Sequence, residues 1–87
     1  MNFLHTEFWG GVESTAVVSV DAQCNVLLLS DLDFVAYQHG RSFRYYGGWF
    51  TRSPIRLTPP RHGRWHVVVD LGGRAGTVTA TTHVVAK

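Results

Sequence analysis

This 87-residue chain has one cysteine and no long apolar run. The first feature argues against a disulfide-stabilised secreted protein, and the second against a protein with a membrane-spanning helix. The single cysteine, Cys24, cannot form an internal disulfide, so the fold must hold without one, as expected of a cytosolic protein. Apolar runs such as 26–29 and 67–69 are far shorter than the ~18 residues of a membrane-spanning helix. Residues 1–10 lack the basic start of an export signal. We therefore expect a cytoplasmic protein with no membrane contact.

Charged residues make up only 16% of the sequence, whereas hydrophobic residues make up 45% and aromatic residues 13%. This balance excludes an intrinsically disordered chain and favours a core of large side chains. A chain of this length buries about 60% of the surface that its unfolded form exposes, which is enough for one core. We therefore expect a single domain over residues 1–87.

The charges that are present divide the chain into an acidic and a basic segment. Residues 1–33 hold five acids and no lysine or arginine, whereas residues 34–69 hold six arginines and no acid. Arginine presents a planar fork that suits carboxylate and phosphate groups. The division indicates an anionic ligand, a partner subunit, or pairing of the arginines with the domain's own acids, and these alternatives stay open.

Apolar and polar residues alternate with period two along most of the chain, and glycine, proline, aspartate and asparagine interrupt the alternation at short intervals. This pattern is typical of antiparallel strands that bury one face. Strands are predicted at 2–9, 13–20, 24–30, 43–51, 54–58, 64–71 and 77–85. About seven strands with short connections describe a sandwich or a small barrel. We predict an all-β fold, an antiparallel β-sandwich with one short helical turn.

The clearest local pattern is a predicted hairpin near the C-terminus, where two alternating segments flank a glycine-rich turn. A turn at this place would pair Val69 with Val78 and Val67 with Ala80, and it would put both apolar sets on one face. Trp65 belongs to the same apolar set. We therefore expect its side chain to be buried.

A second hairpin is predicted between the apolar positions of 16–20 and those of 24–28. Leu27 and Leu29 would then point to the opposite face of the third strand, so that strand must be covered on both sides. The cover is either another segment of the same chain or a second copy of the protein. A second copy would lead to self-association as a closed symmetric oligomer.

The alternation stops after the third predicted strand. Asp31 or Asp33 is placed to cap one helical turn that carries Phe34 and Tyr37 on one face. Gly40 is placed to end this turn in the left-handed conformation. The turn would act as a lid that lays two aromatic rings on the edge of the core, over the leucines of the third strand.

The histidines and the cysteine give little indication of a metal site or of catalysis. His62 and His66 are four residues apart, and on an extended chain they would lie roughly 13 Å from each other. His66 and His83 could be neighbours on adjoining strands, but no further ligand completes a set. Cys24 lies in an apolar strand, which favours a core residue over a nucleophile. Since the sequence also has no nucleophile elbow or phosphate-binding loop, we expect no metal, no cofactor and no enzymatic activity.

Residues 41–54 are the most distinctive stretch, since they interleave five aromatic residues with three arginines. This mixture stacks on, and forms bidentate contacts with, nucleotides, sugars or anionic peptides. The structural alternative is that Phe43, Tyr45 and Trp49 share one face and fill a core. The candidate contacts for a ligand or partner, in this stretch and the strand after it, are Arg41, Arg44, Tyr46, Arg52 and Arg56.

Five short motifs follow one another along nearly the whole chain. They are MNFLH at 1–5, FVAY at 34–37, YYGG at 45–48, WHV at 65–67 and VDLGG at 69–73. In this order they resemble the bacterial domain-of-unknown-function family 1883. The resemblance implies a small β-sandwich, found alone or attached to TIR signalling domains. It implies no activity and no catalytic residue.

These observations favour a non-catalytic recognition or assembly module, whose surface of arginine and aromatic side chains binds a partner protein or an anionic ligand. The alternative is a nucleic-acid-binding or nucleotide-sensing domain in a bacterial signalling or defence pathway. A net charge of only +2 and the scarcity of lysine argue against a strong phosphate track. The placement of the arginines, on one face or on several, distinguishes the two hypotheses.

Overall fold

The computed structural model of the chain describes residues 3–86. Met1, Asn2 and Lys87 lie outside the described residues, and with them the start of the first predicted strand and of the MNFLH motif. In chain order, the elements of the described part are β1 (Leu4–Gly10), β2 (Ser14–Val20), β3 (Cys24–Ser30), α1 (Asp31–Gln38), β4 (Tyr46–Phe50), β5 (Ile55–Leu57), β6 (Gly63–Asp70) and β7 (Ala80–Ala86). The predicted strands match these bounds to within three residues at each end.

The strands form two antiparallel sheets that pack face to face, so the predicted all-β sandwich is confirmed. The first sheet has the strand order β1-β6-β3-β4, and the second has the order β5-β2-β7. The β1–β6 pair joins the first strand to the sixth, with Leu4 opposite Val69 and Gly10 opposite Gly63. Among residues 3–86, no helix is long and apolar enough to cross a membrane.

The main core lies between the two sheets and is built from alternate residues of their strands. Trp65 is only 2% exposed, which confirms the burial predicted from the alternation. The buried members of this core are Ala16, Val18, Cys24, Val26, Leu28, Ile55, Leu57, Trp65, Val67 and Val69.

The predicted C-terminal hairpin is wrong, because its two strands belong to different sheets. Val69 pairs with Leu4 of β1 and also with β3, whereas Ala80 pairs with Val20 of β2. Val78, the expected partner of Val69, precedes β7 and packs with Ala80 against the main core. Alternation determines which face of a strand is buried. Two strands that face each other across a sandwich give the same pattern as two strands that pair.

The predicted hairpin between 16–20 and 24–28 is wrong for the same reason. β2 is the central strand of the second sheet and β3 is an inner strand of the first. The short connection between them therefore crosses from one sheet to the other. The apolar faces of the two strands meet in the main core, as residues on opposite sides of it.

Helix α1 follows β3 directly and has eight residues, so it makes about two turns rather than the single predicted one. Its N-cap is Ser30, not Asp31 or Asp33. The Ser30 hydroxyl accepts the backbone N–H of Asp33 at 3.3 Å and donates to the Asp33 carboxylate at 2.8 Å. Gly40, with a φ of +67°, adopts the left-handed conformation just beyond the helix, as predicted.

The helix covers the outer face of the four-stranded sheet, which is the face opposite the main core. A second core forms between them. It contains Leu27, Leu29, Tyr37 and Val68 as buried members, with Phe3, Phe34 and Phe43 packed against it. The predicted lid over the two leucines is therefore confirmed, and their cover comes from the same chain.

Candidate functional site

Polar side chains collect at two places on the outer face, at opposite ends of α1. One is a depression at the C-terminal end of the helix, bounded by Tyr37, Arg41, Phe43, Tyr45 and Asp70, which we call the aromatic pocket. The other lies beside the N-terminal end of the helix, on β1 and β6. We call it the histidine cluster, and its members are His5, Glu7, Asp31, Arg64 and His66.

The aromatic pocket has a volume of about 400 Å³. Phe43 stands between two other rings: its ring centroid lies 5.3 Å from that of Tyr37 in an edge-to-face arrangement and 5.7 Å from that of Tyr45. Tyr45 is half exposed and forms the outer wall. A concave site with aromatic walls and a volume of this size suits a small organic ligand.

The floor of the pocket is a buried carboxylate, Asp70, which is 5% exposed. Its two oxygens accept hydrogen bonds from the Tyr37 hydroxyl at 2.5 Å, the Asn25 side-chain amide at 2.9 Å and the Gly72 backbone N–H at 2.8 Å. Burial, and then the hydrogen bond to Asp70, raise the pKa of Tyr37, so its hydroxyl keeps the proton that it donates. Asp70 is thereby satisfied within the protein and organises the floor of the pocket.

The rim of the pocket carries positive charge. Arg41 lies exposed on the rim, where the chain leaves α1. A second arginine, Arg74, lies outside the residues that line this pocket, and its guanidinium lies 4.8 Å from the centroid of the Trp49 ring. Arg41 is thus the arginine of the rim itself.

The structure distributes the five predicted contact residues over several surfaces. Arg41 is the one at the aromatic pocket. Arg44 is exposed on the same loop, and its backbone N–H donates to the Asp33 carboxylate at 3.0 Å. Tyr46 pairs with Leu28 at the core side of the sheet edge, and its ring lies edge-on to that of Trp65.

The other two predicted contacts lie away from the pocket. Arg52 is exposed in the loop after β4. Arg56 is exposed on β5 between the buried Ile55 and Leu57, so it lies on the outside of the second sheet. Of the stretch 41–54, the pocket is lined by Arg41 together with Phe43 and Tyr45, two of the residues that the structural alternative assigns to a core. The basic segment as a whole does not form one surface.

The histidine cluster arises from the register of β1 and β6. Glu7 lies directly opposite His66 in this pair, and His5 lies two residues before Glu7 on the same face. His66 Nε2 lies 2.5 Å from an Asp31 carboxylate oxygen, and His66 Nδ1 lies 2.8 Å from His5 Nε2. Since a carboxylate only accepts, we assign the proton on His66 Nε2 as the donor to Asp31, and His5 Nε2–H as the donor to His66 Nδ1.

Arg64 holds Asp31 in place from the solvent side. The Arg64 guanidinium donates to both oxygens of the Asp31 carboxylate, at distances of 3.0 to 3.3 Å. The hydrogen bond from Arg64, followed by that from His66, lowers the pKa of Asp31, so this carboxyl group is ionised. Burial and the neighbouring His66 lower the pKa of His5 and favour its neutral form.

Phe34 fixes the planes of both imidazole rings. Its ring stacks on that of His5 at a centroid distance of 4.2 Å and on that of His66 at 4.4 Å, with interplanar angles of 16° and 8°. Because the phenyl ring covers one side of the two imidazoles, their free movement is restricted and their hydrogen bond is shielded.

Sequence reasoning missed the histidine cluster and expected a different neighbour for His66. His83 pairs with Val17 in the second sheet, so the expected proximity of His66 and His83 is wrong. The alternation of β1 does place His5 and Glu7 on the face opposite the main core. The pairing of β1 with β6, near the other end of the chain, has no local signal in the sequence.

Comparison with known proteins identifies the chain by family. The sequence profile described as domain of unknown function (DUF1883) matches residues 1–87, and the chain therefore belongs to that family. Neither curated proteins nor solved structures gave a significant match.

Proposed function

We propose that this DUF1883 domain is a non-catalytic recognition module that binds an anionic ligand with a flat ring in the aromatic pocket. The observation that carries the proposal is the meeting of Arg41 with the rings of Phe43 and Tyr45 at one concave site. We place this activity in the cytoplasm, because the single cysteine is a free, buried thiol, which suits a reducing compartment.

The charge of the rim supports an anion as the ligand. Among residues 3–86, Arg64 forms an ion pair with an acid, and the guanidinium of Arg41 forms none. Arg41 is therefore available to a carboxylate or phosphate group, to which its planar fork can donate two hydrogen bonds. The pocket's own acid, Asp70, already accepts three hydrogen bonds and needs no cation to satisfy it.

The pocket supports a small ligand better than a nucleic-acid strand or a second copy of the chain. A nucleic-acid track needs a continuous row of cations, whereas Arg56 lies on the outside of the second sheet and Arg41 lies in the loop after α1, beside the first sheet. The hypothesis of self-association rested on the apolar face around Leu27 and Leu29, and α1 of the same chain covers this face. A nucleotide fits both demands of the pocket, since its base stacks on aromatic rings and its phosphate meets arginine.

Isothermal titration calorimetry at low salt tests the proposal with three probes: adenosine 5′-monophosphate, phenyl phosphate and adenosine. We expect at least one phosphate probe to bind at one site, and adenosine to bind at least about tenfold more weakly, because it lacks the anion. Arg41→Gln should weaken the phosphate probe by at least about tenfold. Arg56→Gln is the matched control, since it removes an exposed arginine from the other sheet, and it should leave the affinity unchanged.

Two outcomes would overturn the proposal. One is the absence of binding by both phosphate probes. The other is an equal loss of affinity in the Arg56→Gln and Arg41→Gln variants, which would indicate attraction by overall charge rather than by the pocket. Light scattering during the titration shows whether the protein mass changes, and a rise in mass would favour assembly over binding of a small ligand.

A further inference from the structure

We infer that His5, Glu7 and His66 form a binding site for one divalent zinc ion. Their ligand atoms, two imidazole nitrogens and a carboxylate oxygen, all lie within 4.8 Å of one another. Two nitrogens and one oxygen are ligands that zinc prefers, and three protein ligands leave a fourth position for water or another ligand. This site is separate from the aromatic pocket and does not depend on the proposed function.

The distances between the ligand atoms are close to those that a zinc ion requires. In a tetrahedral site with Zn–N and Zn–O distances of about 2.0–2.1 Å, neighbouring ligand atoms lie about 3.3 Å apart. His66 Nδ1 lies 2.8 Å from His5 Nε2 and 3.8 Å from a Glu7 oxygen. The third pair, His5 and Glu7, lies within 4.8 Å, so a shift of about 1 Å, chiefly of the exposed Glu7 carboxylate, would accommodate the ion. On binding, the proton on His5 Nε2 would move to Nδ1 of the same neutral ring, which frees Nε2 for the ion.

The partner of His66 on its other side supports a metal-binding role. Its Nε2–H faces the Asp31 carboxylate, which leaves the lone pair of Nδ1 directed at His5 and Glu7. A carboxylate behind a ligand histidine fixes the ring orientation and raises the basicity of the ligating nitrogen. Arg64 holds both oxygens of Asp31 in turn, so His66 is oriented before any ion arrives.

The surroundings also leave an entry path. His66 is buried, with 5% of its side chain exposed, whereas 54% of the Glu7 side chain is exposed. Phe34 stacks on the two imidazole rings and keeps them nearly parallel to its own ring. A zinc ion could therefore reach the three ligands from the Glu7 side.

Zinc titration of chelator-treated protein tests this inference, with a chromophoric indicator as competitor. We expect one equivalent of Zn²⁺ to bind and to raise the melting temperature, because an ion that binds the folded state stabilises it. Cobalt substitution should give the visible absorption of a four-coordinate site. Glu7→Gln should weaken zinc binding at least about tenfold, and His5→Phe, which retains a ring to stack on Phe34, at least about 100-fold.

A third variant and two controls separate the site from surface binding. Asp31→Asn should weaken zinc binding about 10- to 100-fold without removing a ligand, as the loss of a partner behind a ligand histidine does. Glu13→Gln is the matched control for Glu7→Gln, since Glu13 is also an exposed acid near a histidine, His62. His83→Gln controls for an exposed histidine elsewhere, and both controls should bind zinc as the unchanged protein does.

Circular dichroism confirms that each variant is folded before its zinc affinity is compared. The inference is overturned if the unchanged protein binds no zinc at one equivalent. It is also overturned if His5→Phe binds zinc as tightly as the unchanged protein, or if the two controls lose as much affinity as Glu7→Gln. In these cases the cluster is a hydrogen-bonded link between β1, β6 and α1 and holds no metal.

Discussion

Replacing Trp65 by alanine tests whether the main core depends on this one side chain. Trp65 is 2% exposed, and its indole N–H donates to the backbone carbonyl of Arg61 at 3.0 Å. The Arg61 guanidinium lies 5.0 Å from the centroid of the indole, and the Tyr46 ring stands edge-on to it at 6.2 Å. The alanine variant removes all of these contacts and leaves a cavity between the two sheets.

The expected loss of unfolding free energy follows from this burial. Emptying the site of a large buried aromatic residue costs about 3–5 kcal/mol. Arg61 is exposed, so its carbonyl can bind water after the substitution, and no large penalty is added for an unsatisfied acceptor. Trp65→Phe keeps an aromatic ring but loses the N–H bond and some volume, for which we expect about 1–3 kcal/mol.

Urea unfolding followed by circular dichroism measures both variants, and the slope with urea shows whether the transition stays two-state. For a domain of this size each kcal/mol lowers the melting temperature by about 4–8 °C, so the alanine variant should melt roughly 12–40 °C lower. The phenylalanine variant remains measurable even if alanine prevents folding. A shift of only a degree or two for both variants would refute the reasoning.

Two further predictions concern backbone space and a buried thiol. Gly47 and Gly48 have φ values of +115° and +150°, but only a Cβ at Gly47 would overlap a backbone atom, the carbonyl oxygen of Val26. Strain should lower the free energy of unfolding of both Gly47→Ala and Gly48→Ala by about 1–3 kcal/mol, and the overlap should lower that of Gly47→Ala by roughly 2 kcal/mol more, as measured by urea unfolding. Equal losses in the two variants would contradict the overlap. Cys24 is fully buried, and burial raises the pKa of its thiol, so a disulfide reagent should modify native protein at least about 100-fold more slowly than unfolded protein. The thiol of the unfolded chain therefore ionises at a lower pH than the thiol of the folded chain. The stabilisation that follows from the raised pKa is full below pH ~8.5 and decreases as the pH rises above it. The urea midpoint should consequently fall less with rising pH in Cys24→Ala than in the unchanged protein.

The sequence predicts which faces of the strands are buried better than it predicts which strands pair. In β2 and β3 the period-two pattern correctly assigns Ala16, Val18, Val26 and Leu28 to one core. It could not show that the two strands lie in opposite sheets, because burial against a facing sheet and burial beside a paired strand require the same alternation. The short connection between β2 and β3 favoured a hairpin, whereas in the fold it joins the two layers.

The aromatic pocket was partly predictable because two of its wall residues are close in sequence. Arg41 was a candidate contact, and Phe43 and Tyr45, two and four residues after it, belong to the same segment, where the alternation assigned them to a core-filling face. The floor was not predictable, since Asp70 comes from β6 and Tyr37 from the helix, 33 residues earlier. Side chains brought together by nonlocal pairing leave no pattern in any one segment.

Helix α1 contributes side chains to both the histidine cluster and the aromatic pocket, because these side chains recur along one side of the helix. Asp31, Phe34 and Tyr37 are three residues apart in sequence and therefore lie along one side of a helix. Asp31 and Phe34 contact His66 at one end, whereas Tyr37 donates to Asp70 at the other. His66 and Asp70 are both outward-facing residues of β6, so one strand and one helix carry both sites. The helix is thus more than a cover for Leu27 and Leu29, because its capped, two-turn geometry sets the positions of the groups that line the pocket and hold His66.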